Sequence, residues 1–148
     1  MKKLVECVPN ISEGSDLSVI NKIVETVEKY PGIKLLNVDP GKATNRTVIT
    51  FVGDGDIIVD AAFKLISKAK ELIDMRKHFG EHPRMGAVDV CPLIPISGIS
   101  MQETIDLAHK LSSRVGKELS IPVYCYENAA KENKRKNLAN CRAGEYLS

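Results

Sequence analysis

Short β-branched, apolar runs alternate along this chain with longer stretches whose apolar residues return at helical spacing. A first strand is predicted over about Leu4 to Val8, ended by Pro9-Asn10. From about Asp16 to Lys29, Ile20, Ile23, Val24 and Val27 obey the i, i+3, i+4, i+7 rule of an amphipathic helix, and Pro31-Gly32 stops it. Ile33 to Val38 reads as a second strand, turned by Asp39-Pro40-Gly41 into a third from about Asn45 to Val52. The second helix is predicted from about Asp56 to Lys77. Its stripe is Ile58, Ala61, Ala62, Leu65, Ile66, Ala69, Leu72 and Ile73.

A fourth strand runs through Ala87-Val88-Asp89-Val90-Cys91 and continues past Pro92 through Leu93-Ile94. Pro92 within it and Pro95 after it place it at a sheet edge or a bend. Ser100 with Glu103 forms the signature of a capping box, opening a third helix whose buried side is Ile105, Ala108, Leu111 and Val115. Ile121 to Tyr126 is a fifth strand, and the basic tail from Asn128 is expected to be helical to about Ala139.

The first six elements give βαββαβ. The expected class is therefore α/β in the α+β sense: a ferredoxin-like core with an additional helix and strand, its helices on one face of a mixed sheet. Such a core leaves the other sheet face in need of a cover. No repeat, low-complexity tract or linker divides the chain, so residues 1–148 are read as one domain.

Composition narrows the functions. At 148 residues, 43% apolar and 27% charged, the chain suits an ordinary soluble domain. A net charge of +2 is too small to imply nucleic acid or an anionic membrane, and no run approaches the roughly 18 to 20 apolar residues of a membrane helix. Base stacking would need exposed aromatics on the strands. There is no tryptophan, and Phe51 stands alone on its strand. The basic run from Lys131 to Lys136 reads as a solvated helix face. The cysteines Cys7, Cys91, Cys125 and Cys141 are widely spaced, and the first three sit in apolar runs. A reduced, cytoplasmic protein is expected rather than a disulfide framework or a zinc ribbon.

The segment richest in chemistry is Gly80-Glu81-His82-Pro83-Arg84-Met85-Gly86. A histidine titrating near neutrality can take and return a proton at physiological pH. Pro83 stiffens the loop and the glycines allow close backbone approach. Arg84 can hold a carboxylate with its planar fork, and Glu81 can orient the imidazole. The bland alternative is a surface turn with solvated charges. His78 and His82 resemble a metal pair in spacing, but Gly80 and Pro83 break the helix that would align them, so no metal site is expected. His109 falls beside the stripe of the third helix as an exposed or partly packed residue. Two further turns can bind polar ligand atoms or merely shape loops. One holds Asn10, Ser12 and Gly14; the other is Asn45-Arg46-Thr47, where Arg46 is a second candidate anion contact. In a ferredoxin-like sheet Asn10 and Asn45 lie on central neighbouring strands and are expected to approach each other.

Five segments together strongly resemble the glutamate formiminotransferase family: Val5 to Gly14, Thr44 to Val48, Gly80 to Pro92, Ile121 to Tyr124 with Glu127, and Arg142 to Tyr146. They occur in the right order and spacing from about Leu4 to Tyr146. The resemblance implies transfer of a formimino group from N-formimino-L-glutamate to N5 of tetrahydrofolate, a co-substrate, without a metal. It also implies that His82 matches the catalytic histidine. Arg84 and Arg46 are our own candidates for the substrate carboxylates, with Asn45, Asn10 and Glu81 beside them.

Members of the family continue into a second, similar subdomain, with folate between the two sheets. This sequence corresponds to the N-terminal subdomain and lacks the second. The open sheet face is therefore expected to pair in a homodimer or with a separately encoded second half. A non-catalytic module binding folate or a protein, and transfer of a formyl in place of a formimino group, are the alternatives.

Overall fold

The computed structural model describes residues 3–73, 88–119, 123–125 and 141–143. In chain order the elements are β1 (Leu4–Cys7), β2 (Asn10–Ile11), α1 (Leu17–Glu28), β3 (Lys34–Gly41), β4 (Arg46–Asp54), α2 (Gly55–Leu72), β5 (Val88–Val90), β6 (Leu93–Ser97), α3 (Met101–Glu118), β7 (Val123–Cys125) and β8 (Cys141–Ala143). The first nine build one sheet and its helices; β7 and β8 pair with each other.

The sheet has six strands but four ranks. β1 and β2 both pair with β4, Leu4 to Cys7 against Asp54 to Phe51, and Asn10 and Ile11 against Val48 and Thr47. They form one rank broken at Val8-Pro9. β6 and β5 form a second broken rank on the outer side of the first, with Glu6 opposite Ile94 and Asn10 opposite Val90. The two breaks face each other, joined by the Val8 N–H donating to the Pro92 carbonyl at 3.1 Å. β3 lies on the other side of β4. By rank the order is second, third, first, fourth, the ferredoxin-like arrangement. The strand expected to pass through Pro92 is thus one rank cut by the proline, at the sheet edge.

One feature of the expected sheet is corrected. Every described pairing is antiparallel, so the sheet is not mixed. Each helical crossover skips over a central strand, and the ranks it joins are never neighbours. The Asp39-Pro40-Gly41 turn also proves to be strand: β3 runs to Gly41, with Pro40 opposite Thr47. A proline is tolerated there because β3 is an edge strand. The turn falls later, where the Asn45 N–H donates to the Lys42 carbonyl at 3.1 Å.

The helices obey their apolar patterns. The four residues expected to be buried in α1 and the four in α3 are buried, and so is the α2 stripe except for a partly covered Leu72. Ser100 and Glu103 complete both halves of the capping box, at 3.1 and 2.9 Å. Helix α2 stops at Leu72, short of the expected end: Ile73 is already extended and turns its side chain into the core. Asp74 to Lys77 and the tail expected to be helical lie outside the described residues. Val5, Cys7, Ile49 and Phe51 are fully buried and join the buried sides of all three helices in one cluster. Alternate residues of the same strands form the opposite face: Glu6, Val8, Asn10, Val48, Thr50 and Val52 are all half-buried. Among the described residues no helix is long and apolar enough to cross a membrane.

Candidate functional site

Three of the six candidate residues stand at one end of the sheet. Asn10 lies in β2 between Val48 of β4 and Val90 of β5, and its Nδ2 donates to the Val8 carbonyl at 3.3 Å. Asn45 occupies the turn into β4 in the left-handed region, at φ 54°, a conformation that asparagine tolerates better than most residues. Arg46 is the first residue of β4, opposite Gly41 of β3, and belongs to the half-buried, helix-free face. Glu81, His82 and Arg84 lie outside the described residues. The chain is described again from Val88, the register partner of Ile11.

The structure shows Asn45 in contact with Gly14, four residues beyond Asn10. The Asn45 Oδ1 accepts from the Gly14 N–H at 3.0 Å. Gly14 itself is wedged against the β3–β4 turn. A Cβ there would run into the Gly41 carbonyl oxygen and stand 2.6 Å from the Arg46 nitrogen, so only glycine fits. The buried Thr47 hydroxyl donates to the Glu13 carbonyl at 2.5 Å. The Glu13 carboxylate then turns the chain into α1, accepting from the Ser15 and Asp16 N–H groups at 3.1 and 3.0 Å. Asp16 caps that helix by accepting from the Ser18 and Val19 N–H groups. These contacts fasten the β2–α1 loop to the hairpin that presents Arg46.

Of the two readings open for this loop, the structure shows the shaping role for Gly14. Thr47 was not a candidate. Its signal was a lone hydroxyl at a position where the alternation Thr47, Ile49, Phe51 demanded a buried side chain.

The exposed face of the sheet is less apolar than an uncovered core would be. Glu6 sits between Val52 and Ile94, and Asn10 is paired with Val48 on one side. Valines and an isoleucine therefore alternate with groups that can hydrogen-bond, a surface suited to a flat ring with polar edges.

A second polar cluster lies on the helix side, away from these residues. The Tyr30 hydroxyl and the Arg114 guanidinium both donate to the Asp60 carboxylate at 2.6 Å, and Arg114 stacks 4.0 Å from the Phe63 ring centre. The bond from Tyr30, then that from Arg114, holds the Asp60 carboxyl below its ordinary range, while the bond to Asp60 raises the Tyr30 hydroxyl. It joins α2 and α3 to the turn that follows α1 and borders a groove of about 680 Å³ lined in part by Lys22, Lys29, Lys64 and Lys68. His109 is exposed on α3, one of its two expected settings. Among the described residues no three metal-ligating side chains gather. His78 is outside them.

Comparison with known proteins finds relatives along almost the whole chain. Residues 4–148 match the formiminotransferase domain, N-terminal subdomain. The chain is 51% identical over 146 residues to the formimidoyltransferase-cyclodeaminase of Rattus norvegicus, covering 99% of this chain and 27% of that protein. It is 47% identical over 146 residues to the glutamate formimidoyltransferase of Streptococcus pyogenes serotype M1, covering 99% of this chain and 49% of the relative. A third relative, the formimidoyltransferase-cyclodeaminase of Dictyostelium discoideum, is 49% identical with the same 99% and 27% coverage. The chain thus spans between about a quarter and a half of the length of these relatives. It belongs to the family of N-terminal subdomains of the formiminotransferase domain.

Proposed function

We propose that this chain supplies the N-terminal half of a folate-dependent formimino transfer site. The observation that carries the reading is the family match over residues 4–148, joined to 47% identity with a protein named glutamate formimidoyltransferase. The donor is N-formimino-L-glutamate and the acceptor is N5 of tetrahydrofolate, taken as a co-substrate.

The reaction needs one proton moved twice. N5 attacks the formimino carbon and sheds its proton; the C–N bond to glutamate then breaks, and the departing nitrogen gains a proton. His82 serves as base in the first step and acid in the second, with Glu81 orienting its ring. A group titrating near neutrality suits both roles, which is why histidine and not lysine carries them. Arg84 and Arg46 hold glutamate carboxylates as planar forks, and Asn10 and Asn45 line the same end of the sheet. No step calls for a metal. The buried thiols Cys7 and Cys91 suit a reducing, cytoplasmic setting.

The helix-free face, with ring-sized apolar strips between polar groups, is where the pterin and the second layer of protein belong. A second copy of the chain or a separately encoded second subdomain covers it, and residues 1–148 act as one domain within that assembly.

The test is tetrahydrofolate-dependent consumption of formiminoglutamate by the chain alone and after addition of a companion second subdomain. Turnover is expected with the companion, and His82→Ala should lower kcat by about 10²–10⁴-fold. Consumption of a formyl donor in its place would overturn the choice of donor. Unchanged turnover in His82→Ala would overturn the role of the histidine. No turnover in any combination, with folate still bound, would favour a binding module.

A further inference from the structure

The fold sorts four cysteines that are scattered in sequence into two pairs. Cys7, the last residue of β1, and Cys91, in the break between β5 and β6, place their sulfurs 3.5 Å apart across 84 residues of chain. Cys125 of β7 is the register partner of Cys141 of β8. Four cysteines allow three pairings, and the tertiary structure selects one of them.

We propose that Cys7 and Cys91 form an oxidisable dithiol, a modification site at which a peroxide converts the two thiols into a disulfide. Neighbouring ranks already hold them side by side: Cys7 stands opposite Leu93, and Val8 bonds to Pro92, the residue after Cys91. Closing the bond asks for a short approach of two sulfurs within one apolar cluster, not a rearrangement of strands. Both thiols are buried, Cys7 fully and Cys91 to 2% exposure, so they stay reduced while the sheet is closed. Cys91 lies in the outer rank, at the point where proline interrupts pairing. Local opening there exposes it first.

The chemistry closes with the peroxide as sole oxidant. The Cys91 thiolate attacks one peroxide oxygen; an S–O bond forms, the O–O bond breaks, and the hydroxide released leaves as water with the thiol proton. The Cys7 sulfur then attacks the sulfenic sulfur of Cys91. The S–S bond forms, the S–O bond breaks, and a second water carries off the Cys7 proton. The two sulfurs lose two electrons in all and the peroxide gains them. A reducing thiol reverses the step by exchange.

The bond would fasten the first rank to the outer one where both are broken, close to Asn10 in the chain. The experiment treats the folded full-length chain with hydrogen peroxide, blocks remaining thiols, and maps peptides by mass without reduction. A crosslinked Cys7–Cys91 peptide about 2 Da below the two thiol peptides is expected, abolished by dithiothreitol. Exchange of the Val8 amide should slow by roughly tenfold in the oxidised form. The double variant Cys125→Ser/Cys141→Ser removes the other partners and must still yield the crosslink. Recovery of Cys7 and Cys91 both alkylated while Cys125 or Cys141 is oxidised would overturn the proposal. So would oxidation of Cys91 to a sulfinic acid without crosslinking, or a mixture of pairings.

Discussion

The two faces of the sheet are drawn from the same strands and do opposite work. On the helix side Val5, Cys7, Ile49 and Phe51 are sealed at 0% exposure and share one cluster with the buried stripes of all three helices. One residue along, on the other side, Glu6, Val48, Thr50 and Val52 remain half-open, and polar groups interrupt the apolar ones. The difference teaches that alternation within one strand separates the residues that hold the fold from those left open, where the proposed binding would fall. Stability should respond to the first set and binding to the second.

The strongest test of that separation is Phe51→Ala. Removing a fully buried ring should cost about 3–5 kcal/mol, read by denaturant unfolding. A loss under about 1 kcal/mol would mean that the covered face is not the core. Gly14→Ala comes next, at about 3 kcal/mol, because backbone atoms of Gly41 and Arg46 stand on the methyl's only site and cannot yield as a side chain would. Its thermal midpoint should fall by several degrees, and a midpoint equal to wild type would show that the loop does not seat against the hairpin.

Asp60→Asn probes the helix layer, a third exposed and therefore partly screened. About 1–2 kcal/mol is expected, since Tyr30 and Arg114 lose a shared carboxylate. The sign with pH follows. Asp60 titrates lower in the folded chain, so its contribution is present above the ordinary carboxylate range and fades as pH falls through its depressed value. Asp60→Asn should flatten that acid limb.

On the open face, Val48→Thr should change stability by less than about 1 kcal/mol. If the proposed function holds, it should nonetheless weaken tetrahydrofolate binding once a second layer of protein is in place, measured by titration. A large loss of stability with unchanged binding would reverse the assignment of the two faces.

The smallest effect is expected at the Lys3–Glu103 pair, bonded at 2.6 Å between exposed side chains. Lys3, then the Ser100 backbone, pulls the Glu103 carboxyl from 4.5 to about 2. Whatever stability it contributes is complete above pH 4.5 and lost toward 2. Adding salt should erase most of it, as thermal scans in about 0.05 M and about 1 M salt would show.

The sequence made some of this architecture plain and hid other parts for physical reasons. Helices were legible because burying one stripe demands a period that no other structure shares. Ser100 and Glu103 were legible because a cap is a local exchange between residues three apart. The ferredoxin-like arrangement was legible in the βαββαβ succession of the first six elements. The extension of β3 through Pro40 was not legible, because whether a proline is tolerated depends on its being at an edge, a property of the assembled sheet. β8 is three residues long, too few to carry a period. The candidate end of the sheet was legible as motifs, yet the wedge of Gly14 beneath Gly41 and Arg46 arises from chain segments about thirty residues apart. Nothing local announces it. The Tyr30–Asp60–Arg114 cluster was hidden for the same reason: each residue alone is an ordinary surface polar group.

One strand crosses both halves of the sheet without interruption. The rank of β1 and β2 breaks at Val8-Pro9 and that of β5 and β6 at Cys91-Pro92, while β4 runs from Arg46 to Asp54 as their common ruler. Deleting a single residue midway along β4 would keep one half in place and turn the other inside out, exchanging its sealed and open sides. Changes in chain length are therefore admissible at the Lys42–Asn45 turn and at the two proline breaks, and inadmissible in β4. An engineer wishing to graft a new loop beside Asn10 has those three places to cut, and one strand to leave untouched.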